Sequence, residues 1–222
     1  LKNSNTVCLN GQPLQADLAT ALGVPVVIAN DANCFALAET RLGSVATHLP
    51  GAPVVFGVIM GSGVGGGVVV DGRVLTGRHA IGGEWGHNFL DTSGGPCYCG
   101  QTGCVETVLS GKALEGYYHA TAGQFRPLAD IVLRHRAGTD PAATATVRRL
   151  THFFGKALSV VINILDPDVL VLGGGVGNVD ELYTDGVDSL RRCVFNPRLD
   201  TRILRPQLGD SAGVFGAALL EA

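Results

Sequence analysis

The sequence predicts an α/β fold that presents polar, ligand-facing residues at the carboxyl ends of its strands. Residues 24–29 (VPVVIA) form a short apolar run, and Asn30, Asp31 and a helical stretch ending at Gly43 follow directly. The same order recurs where residues 169–172 (VLVL) lead into residues 173–175 (GGG) and then a helical pattern. Open α/β sheets bind their ligands at such strand ends, so these two corners are the first candidates for a site.

The other elements follow from apolar periodicity and from turn residues. A helix is expected around Leu14, Leu18 and Leu22, with Gly23 as its stop. Residues 53–60 (PVVFGVIM), the VVV of 68–70 and the RVL of 73–75 predict a three-stranded meander with a turn at Asp71-Gly72. Apolar spacing near 3.6 predicts further helices over residues 109–120, 128–135, 142–165 and about 180–194, and a helix start within residues 209–218.

Composition limits the function classes. The chain has 222 residues, of which 46% are hydrophobic, and a formal net charge of -3, so it can bury a sizeable core and offers no basic surface for nucleic acid. Gly, Asp and Pro interrupt every apolar run, so no membrane contact is expected. Six cysteines without a secretory signal suggest a reducing, cytoplasmic location.

Asp31 allows two interpretations. An Asp or Asn at the start of a helix commonly caps it, and the local sequence favours this role. The alternative is a general base, held by its strand against a substrate hydroxyl.

The glycine-rich segments also allow two interpretations. Residues 61–67 (GSGVGGG) lie at a strand tip, where backbone N–H groups can face phosphate oxygens. No Lys-Ser/Thr pair follows, so this is not a P-loop, and a glycine-rich hairpin without a ligand is the alternative. Residues 173–175 mark a second candidate nucleotide corner.

The segment 82–106 (GGEWGHNFLDTSGGPCYCGQTGCVE) contains a candidate metal site. His87, Cys97, Cys99 and Cys104 offer a borderline-soft cation four ligands, which suits structural, tetrahedral zinc. The alternative is disulfides with a spare thiol, which a reducing compartment disfavours. Glu84 and Glu106 flank the cluster, and paired carboxylates suit a polyhydroxylated ligand, although solvated surface glutamates are the simpler interpretation.

These motifs together resemble the ROK family of sugar kinases, which have the two-lobed, actin-like (ribonuclease H-like) ATPase fold. The resemblance covers essentially the whole chain through NDAN at 30–33, GSGVGGG at 61–67, GEWGH at 83–87, CYCGQTGC at 97–104 and LGGGV at 172–176. Within the family the chain looks most like fructokinases of the mannofructokinase kind, with N-acetylglucosamine kinases close behind. The stretches that carry this are residues 2–13, 82–88, 163–175 and 178–183.

The resemblance implies ATP-dependent phosphorylation of a hexose, fructose or mannose, with Mg²⁺ accompanying the ATP. It implies Asp31 as the base, and it implies zinc on His87 and the three cysteines, with the second His87 ring nitrogen facing the sugar. The sugar-contacting positions it implies are Asn30, Glu84, His87, Glu106 and, less directly, Asn10. The nucleotide positions it implies are Gly61, Ser62, Gly63, Gly173, Gly174 and Gly175.

Two departures from the family pattern bear on activity. The family begins with an Asp-x-Gly-Gly-Thr phosphate loop that these 222 residues do not contain, so the resemblance implies an incomplete small lobe. The loop between His87 and Cys97 is also shorter than in the fructokinases. A sugar-responsive repressor and a sugar-binding module without turnover are therefore alternatives to a kinase.

The resemblance also implies an architecture. Residues 1–50 and a C-terminal helix over 210–222 would belong to the small lobe, and residues 51–209 to the large lobe with the zinc loop. A homodimer or homotetramer is expected.

Overall fold

A computed structural model describes residues 7–220 of the chain. The expected small-lobe positions 1–6 and 221–222 lie outside this range. The strands are β1 (Val54–Met60), β2 (Val64–Val70), β3 (Arg73–Val74), β4 (Val169–Gly173) and β5 (Arg202–Leu204). The helices are α1 (Leu14–Leu22), α2 (Asp31–Arg41), α3 (Ser44–His48), α4 (Val105–Leu109), α5 (Gly111–Ala122), α6 (Leu128–Arg136), α7 (Pro141–Leu165), α8 (Gly174–Gly177), α9 (Asp185–Arg191) and α10 (Ala212–Ala218). Within this range no helix is both long enough and apolar enough to cross a bilayer.

The five strands form one mixed sheet in the order β3-β2-β1-β4-β5. The pairs β1–β2 and β2–β3 are antiparallel, which confirms the predicted meander. The pairs β1–β4 and β4–β5 are parallel, so the carboxyl ends of β1 and β4 meet at one edge of the sheet. Residues 61–63 follow β1 and residues 174–177 follow β4, so both predicted glycine corners lie at that edge.

Helices cover both faces of the sheet, which explains why β1 and β4 read as continuous apolar runs. Alternate residues of each strand point to opposite faces. Toward α7 the sheet contributes Phe56, Val58, Met60, Leu170 and Leu172. Toward α2 it contributes Val55, Val69, Val169 and Val171.

Helix α2 lies unusually close to the sheet because small residues meet at the contact. A Cβ atom on Gly57 would lie 2.6 Å from the Cβ of Ala36, and one on Gly67 would lie 2.5 Å from the carbonyl oxygen of Ala32. Real Cβ atoms do not approach this closely, so glycine is required at both positions. The start of α2, and with it Asp31, is therefore fixed by direct packing on β2.

This packing corrects the interpretation of residues 61–67 as one glycine loop. Only residues 61–63 form the turn between β1 and β2, and the Gly61 N–H donates to the Gly63 carbonyl at 2.9 Å. Gly65, Gly66 and Gly67 belong to strand β2. Gly65 and Gly67 face Ala32 of α2, whereas a Cβ on Gly66 would lie 2.6 Å from the rings of Phe56 and Trp85, so these glycines serve packing on both faces of the strand. The local sequence did not reveal this.

The predicted strand over residues 24–29 is wrong. The segment is extended but unpaired, and Val24, Val27 and Ile28 are 53%, 49% and 38% exposed. Within residues 7–220 no strand lies beside it, and its Val26 carbonyl instead accepts from the Gln15 side chain at 2.8 Å. An apolar extended segment forms a strand only when a neighbour accepts and donates its backbone hydrogen bonds.

The helix predicted over about 180–194 is also broken. Residues 174–177 already form the short helix α8, Asp180–Leu182 form a 3-10 turn, and α9 begins only at Asp185. Leu182 lies in the core and Tyr183 donates its hydroxyl to the Gly177 carbonyl at 2.9 Å, so tertiary contacts interrupt the helix here. Helices α1, α2, α5, α6 and α7 lie where the sequence predicted them, within a few residues.

Helices α2 and α10 pack together and share one core cluster with the sheet. A Cβ on Gly216 of α10 would collide with the Cys34 carbonyl of α2, so this crossing also depends on glycine. The boundary between lobes near residue 50 stays a prediction. Helix α2, which the prediction assigns to the small lobe, shares its core with β1 and β4.

Candidate functional site

Four predicted metal ligands form one cluster. The ligand atoms of His87, Cys97, Cys99 and Cys104 all lie within 4.8 Å of one another. The Sγ atoms of Cys99 and Cys104 are 3.6 Å apart, and the Sγ of Cys97 is 3.6 Å from His87 Nδ1. All six cysteines are free thiols, so the structure does not support the disulfide alternative.

These separations fit tetrahedral zinc. Zn–S bonds of about 2.3 Å and Zn–N bonds of about 2.0–2.1 Å place neighbouring ligand atoms about 3.6–3.8 Å apart. Three thiols and an imidazole are also the donor set that zinc prefers. Four protein ligands leave no open coordination position, so the cluster has the chemistry of a structural site rather than a catalytic one.

Without a metal the thiols have unequal proton affinities. Burial, together with hydrogen bonding to Cys99 and Cys97, raises the pKa of Cys104 to about 12. A hydrogen bond with the backbone of Gln101 lowers the pKa of Cys99. A bound cation would replace the protons that these neighbouring thiols otherwise share.

The loop around the cluster is attached to the sheet by a tryptophan. The 3-10 turn Trp85–His87 carries the histidine, and the Trp85 ring is buried against Phe56 of β1. Its Nε1–H donates to the Gly65 carbonyl of β2 at 2.9 Å. The position of His87 therefore follows from the sheet, whereas the cysteines come from the irregular segment before α4.

Asp31 occupies the first position of α2, and Asn30 is the helix cap. Asn30 Oδ1 accepts from the backbone N–H groups of Ala32 at 2.8 Å and Asn33 at 3.4 Å. The predicted capping role therefore belongs mainly to Asn30. The Asp31 carboxylate is exposed, and its Oδ1 accepts from Ala32 N–H at 2.9 Å.

Asn30 also connects the start of α2 with the zinc loop. Its Nδ2 lies 3.4 Å from Glu84 Oε1, across 54 residues of sequence. Glu84 is half-buried and directly precedes the Trp85–His87 turn. The structure therefore brings the predicted base, its neighbour and the first predicted sugar carboxylate to one place.

The second predicted sugar carboxylate, Glu106, is held by a hydrogen bond from β2. Its Oε2 accepts from the Val64 N–H at 2.9 Å, and a Cβ on Gly63 would lie 2.5 Å from the same oxygen. A glycine at position 63 therefore leaves room for the Glu106 carboxylate. Gly63, which was predicted to contact the nucleotide, is not among the residues that line the cavity described below.

Tyr98 is a site residue that the sequence analysis missed. Its hydroxyl lies 3.0 Å from His87 Nε2, and the two rings form an edge-to-face pair with centroids 5.1 Å apart. Burial, followed by the charges of Glu106, Cys97 and Glu84, raises the pKa of Tyr98. The available signal was its position between two metal ligands, Cys97 and Cys99.

A cavity of about 790 Å³ adjoins the two glycine corners. Gly61, Ser62 and Gly175 line one side, as predicted for nucleotide contacts, and Lys112 of α5 joins them. Apolar lining residues were not predicted; they are Pro127, Leu128, Ala129, Val132, Leu133, Val176 and Val179. Glu115 and Arg136 also line the cavity. A lining of both polar and apolar groups suits a phosphorylated ligand with a flat base.

Gly173 and Gly174 do not line this cavity, although they were predicted to contact the nucleotide. A Cβ on Gly173 would lie 2.6 Å from the Phe35 ring, so Gly173 makes room for a core aromatic. Gly174 has φ +78° and lies on the backbone of Met60. Their direct contact with a nucleotide stays a prediction.

Asn10 lies in the predicted turn with Gly11, after a 3-10 turn over Val7–Leu9, and is exposed. Its contact with a sugar stays a prediction. A further cavity of about 810 Å³ lies at the end of α7, around Asp166 and Phe195, and none of the predicted site residues line it.

Comparison with curated proteins finds N-acetyl-D-glucosamine kinases. The protein of that name from Yersinia pseudotuberculosis is 38% identical over 227 residues, which covers 98% of this chain and 73% of the relative. The one from Pectobacterium carotovorum is 37% identical over 99% of this chain and 74% of its own length. These matches favour the N-acetylglucosamine alternative over the expected fructokinase likeness.

Solved structures agree in fold. The ROK hexokinase from Thermus thermophilus superposes with a TM-score of 0.86 at 34% identity, covering 96% of this chain and 70% of the other. The ROK family glucokinase from Streptomyces griseus, solved with glucose and AMPPNP, gives a TM-score of 0.79 at 31% identity, covering 95% and 72%. The actin-like α/β fold is therefore confirmed. The ROK family profile matches residues 1–222, and this chain belongs to the ROK family.

Proposed function

We propose that this chain phosphorylates a hexose with ATP, using Asp31 as the general base. The observation that carries the proposal is the Asn30–Glu84 contact, which joins the start of α2 to the zinc loop at 3.4 Å. It puts an exposed carboxylate beside groups suited to bind sugar hydroxyls. The proposal also rests on the membership of the chain in a family whose named relatives here include hexose kinases.

In this reaction the protein forms no covalent bond to the substrate and supplies mainly positioning and charge stabilisation. Phosphoryl transfer depends on positioning the attacking hydroxyl in line with the phosphate and on stabilising charge. Asp31 is oriented by the hydrogen bond from Ala32 N–H to Oδ1, which leaves Oδ2 to accept the hydroxyl proton. The proton moves from the sugar hydroxyl to this oxygen as the hydroxyl oxygen forms its bond to the γ-phosphorus of ATP. The bond from that phosphorus to the bridging oxygen breaks, and ADP leaves with the electron pair.

The sugar site would consist of Asn30, Glu84, His87 and Glu106. Glu106 Oε2 is engaged by Val64 N–H, so its Oε1 is the oxygen that remains for a sugar hydroxyl. Each carboxylate oxygen accepts up to two hydrogen bonds, which suits a ligand with neighbouring hydroxyl groups. A bound zinc on His87 Nδ1 would fix the ring and leave Nε2–H to donate toward the sugar.

The nucleotide would occupy the cavity at the two glycine corners. Its base would lie on the apolar lining residues Leu128 and Val132, with the phosphates toward Gly61 and Ser62. Lys112 is exposed at this rim and adds a positive charge to the polar side. Mg²⁺ would enter with ATP and neutralise phosphate charge. The zinc would be structural and would brace the loop that carries His87.

Among hexoses, N-acetylglucosamine and glucose are preferred over fructose in this proposal. The relatives named N-acetyl-D-glucosamine kinase reach 38% identity over 98% of the chain. The glucokinase solved with glucose reaches 31% over 95%. We also propose the dimer or tetramer expected from the resemblance. The division into a small and a large lobe stays a prediction.

A second candidate is sugar binding without phosphoryl transfer. A ROK family transcriptional regulator matches 94% of this chain at 32% identity, with a TM-score of 0.78, and the chain covers 54% of it. The two candidates share the sugar residues and differ in whether Asp31 acts on a bound phosphate donor.

The deciding experiment measures ADP release and sugar binding by the same preparation. The panel is N-acetylglucosamine, glucose, mannose and fructose, with MgATP. ADP release that depends on one of these sugars is the expected result. Sugar binding without ADP release would favour the second candidate, and the absence of both would refute the proposed sugar site.

A further inference from the structure

We propose that Tyr98 gates the sugar site by occupying His87 Nε2 until a hexose displaces it. The inference rests on the proposed function, since it concerns the nitrogen that the sugar would use. Its evidence is the contact between the Tyr98 hydroxyl and His87 Nε2 at 3.0 Å, together with the edge-to-face packing of the two rings.

The direction of this hydrogen bond follows from the metal cluster. His87 Nδ1 lies 3.6 Å from the Sγ of Cys97, so Nδ1 is the nitrogen that would hold a bound metal, and the proton of the neutral ring would then reside on Nε2. In that state Nε2–H would donate to the Tyr98 hydroxyl oxygen. An imidazole has only one such donor, so His87 cannot bind a sugar hydroxyl well while it is engaged by Tyr98.

Tyr98 is anchored in its backbone but free in its side chain. The backbone lies between Cys97 and Cys99, so a metal bound by these cysteines would fix it, whereas the residue as a whole is 65% exposed. The ring can therefore swing toward solvent without unpacking a core. His87 cannot do the same, because Trp85 in its own turn is buried against the sheet.

The hydrogen bond and the edge-to-face ring packing hold the hydroxyl at His87 in the absence of sugar. The Tyr98 oxygen then takes the place at Nε2 that a sugar hydroxyl would occupy. A sugar hydroxyl offers Nε2–H the same kind of acceptor. Tyr98 thus substitutes for one hydroxyl of the ligand, and binding exchanges one hydrogen bond for an equivalent one.

The test removes the hydroxyl and keeps the ring. Tyr98→Phe should bind the hexose about 2- to 10-fold more tightly than the wild type, because the sugar no longer competes with a neutral hydrogen bond. A structural loss would change affinity in the opposite direction. Tyr117→Phe is the matched control, since Tyr117 lies on α5 and its ring packs under Arg149 of α7. Its affinity should equal that of the wild type.

Binding is measured by the fluorescence of Trp85, the single tryptophan of the chain, two residues from His87. Titrations use N-acetylglucosamine and glucose on zinc-loaded protein without ATP. Weaker or unchanged affinity in Tyr98→Phe, with normal wild-type binding, overturns the gate alone. Absence of sugar binding in wild type and Tyr98→Phe alike overturns the proposed function.

A spectroscopic measurement checks the contact itself. In zinc-loaded, sugar-free protein the His87 Nε2–H resonance, observed by ¹⁵N NMR, should shift in Tyr98→Phe and not in Tyr117→Phe. Saturating sugar should shift the wild-type resonance as well. If the chemical shift of His87 Nε2–H is the same in Tyr98→Phe and the wild type, the Tyr98 hydroxyl does not accept from this nitrogen. That result would overturn the gate.

Discussion

Glu106 Oε2 accepts the backbone N–H of Val64 at 2.9 Å, and this bond connects the zinc loop with the turn at the nucleotide cavity. Val64 begins β2, directly after residues 61–63. Val64 is buried, so its N–H has no water to replace the carboxylate. One side chain therefore combines this structural role with the sugar-binding role that we propose for it.

Two substitutions at Glu106 separate these roles. Glu106→Gln keeps an acceptor for Val64 but loses the charge, so sugar affinity should fall about 10- to 100-fold with little change in stability. Glu106→Ala also leaves the Val64 N–H unpaired, and the free energy of unfolding should fall by about 1–3 kcal/mol more. Sugar titration and urea unfolding measure the two effects. Equal urea midpoints for the two variants would remove the structural role.

Asp31→Asn tests the base. The amide keeps the size of the side chain and can still accept from Ala32 N–H, but it cannot take a proton. Turnover should fall by about 10²- to 10⁴-fold, while sugar affinity stays within a few-fold of the wild type. Steady-state ADP release and sugar titration are compared, with Asp17→Asn on α1 as the control. Undiminished turnover in Asp31→Asn would remove this residue from the base role.

Metal removal tests the cluster. The protein should carry about one zinc per chain, and Cys99→Ser should lose it together with the folded loop over residues 84–106. Metal content by mass spectrometry and protease sensitivity of that loop are the measurements. Cys8→Ser is the control, because Cys8 is an exposed thiol outside the cluster. A wild-type protein that is folded and free of zinc would contradict the structural-metal assignment.

A methyl group added at Gly67 of β2 and one added at Gly116 of α5 should have opposite effects on stability. In Gly67→Ala the new Cβ would lie 2.5 Å from the Ala32 carbonyl oxygen and 2.8 Å from the Asn33 Cα. Overpacking should cost about 1–3 kcal/mol in unfolding free energy and displace Asp31. Gly116 of α5 faces open space, so Gly116→Ala should stabilise by about 0.5–1 kcal/mol. Urea unfolding of both variants checks the signs; a neutral Gly67→Ala would show that α2 can retreat from the sheet.

The contrast between these glycines also shows what the sequence could predict. The strands at 53–60 and 169–172 were predictable because burial on both faces leaves an uninterrupted apolar run. The cluster of His87, Cys97, Cys99 and Cys104 was predictable because residue type and spacing carry the chemistry, whereas metal binding by these residues stays a prediction. The role of Gly67 was not, because its partner is the backbone of Ala32, 35 residues away.

The misses have physical causes of the same kind. Residues 24–29 have the composition of a strand, but strand formation depends on a neighbour that local sequence does not specify. Strand β5 has three residues at the edge of the sheet, too few to show a period. Tyr98 was overlooked because its contact with His87 spans 11 residues of irregular loop.

Glu39 gives a stability prediction outside the site. Its carboxylate is fully buried and accepts backbone N–H groups from Ser44 at 2.8 Å, Gln207 at 3.0 Å and Leu208 at 2.9 Å. It thereby joins the end of α2 to α3 and to the segment that leads into α10. A Gln at this position would point an NH₂ donor at one of these donors.

Glu39→Gln should therefore lower the free energy of unfolding by about 1–3 kcal/mol, since at least one buried N–H loses its acceptor. Asp71→Asn, in the exposed hairpin turn, replaces a carboxylate by an amide without this burial and should change little. Urea unfolding of both variants measures the difference. Because Glu39 lies at the far end of α2 from Asp31, sugar affinity in Glu39→Gln should remain at the wild-type value at temperatures where the protein is folded. A loss of sugar affinity with an unchanged free energy of unfolding would instead mean that this carboxylate determines the position of α2 on the sheet and not the stability of the protein.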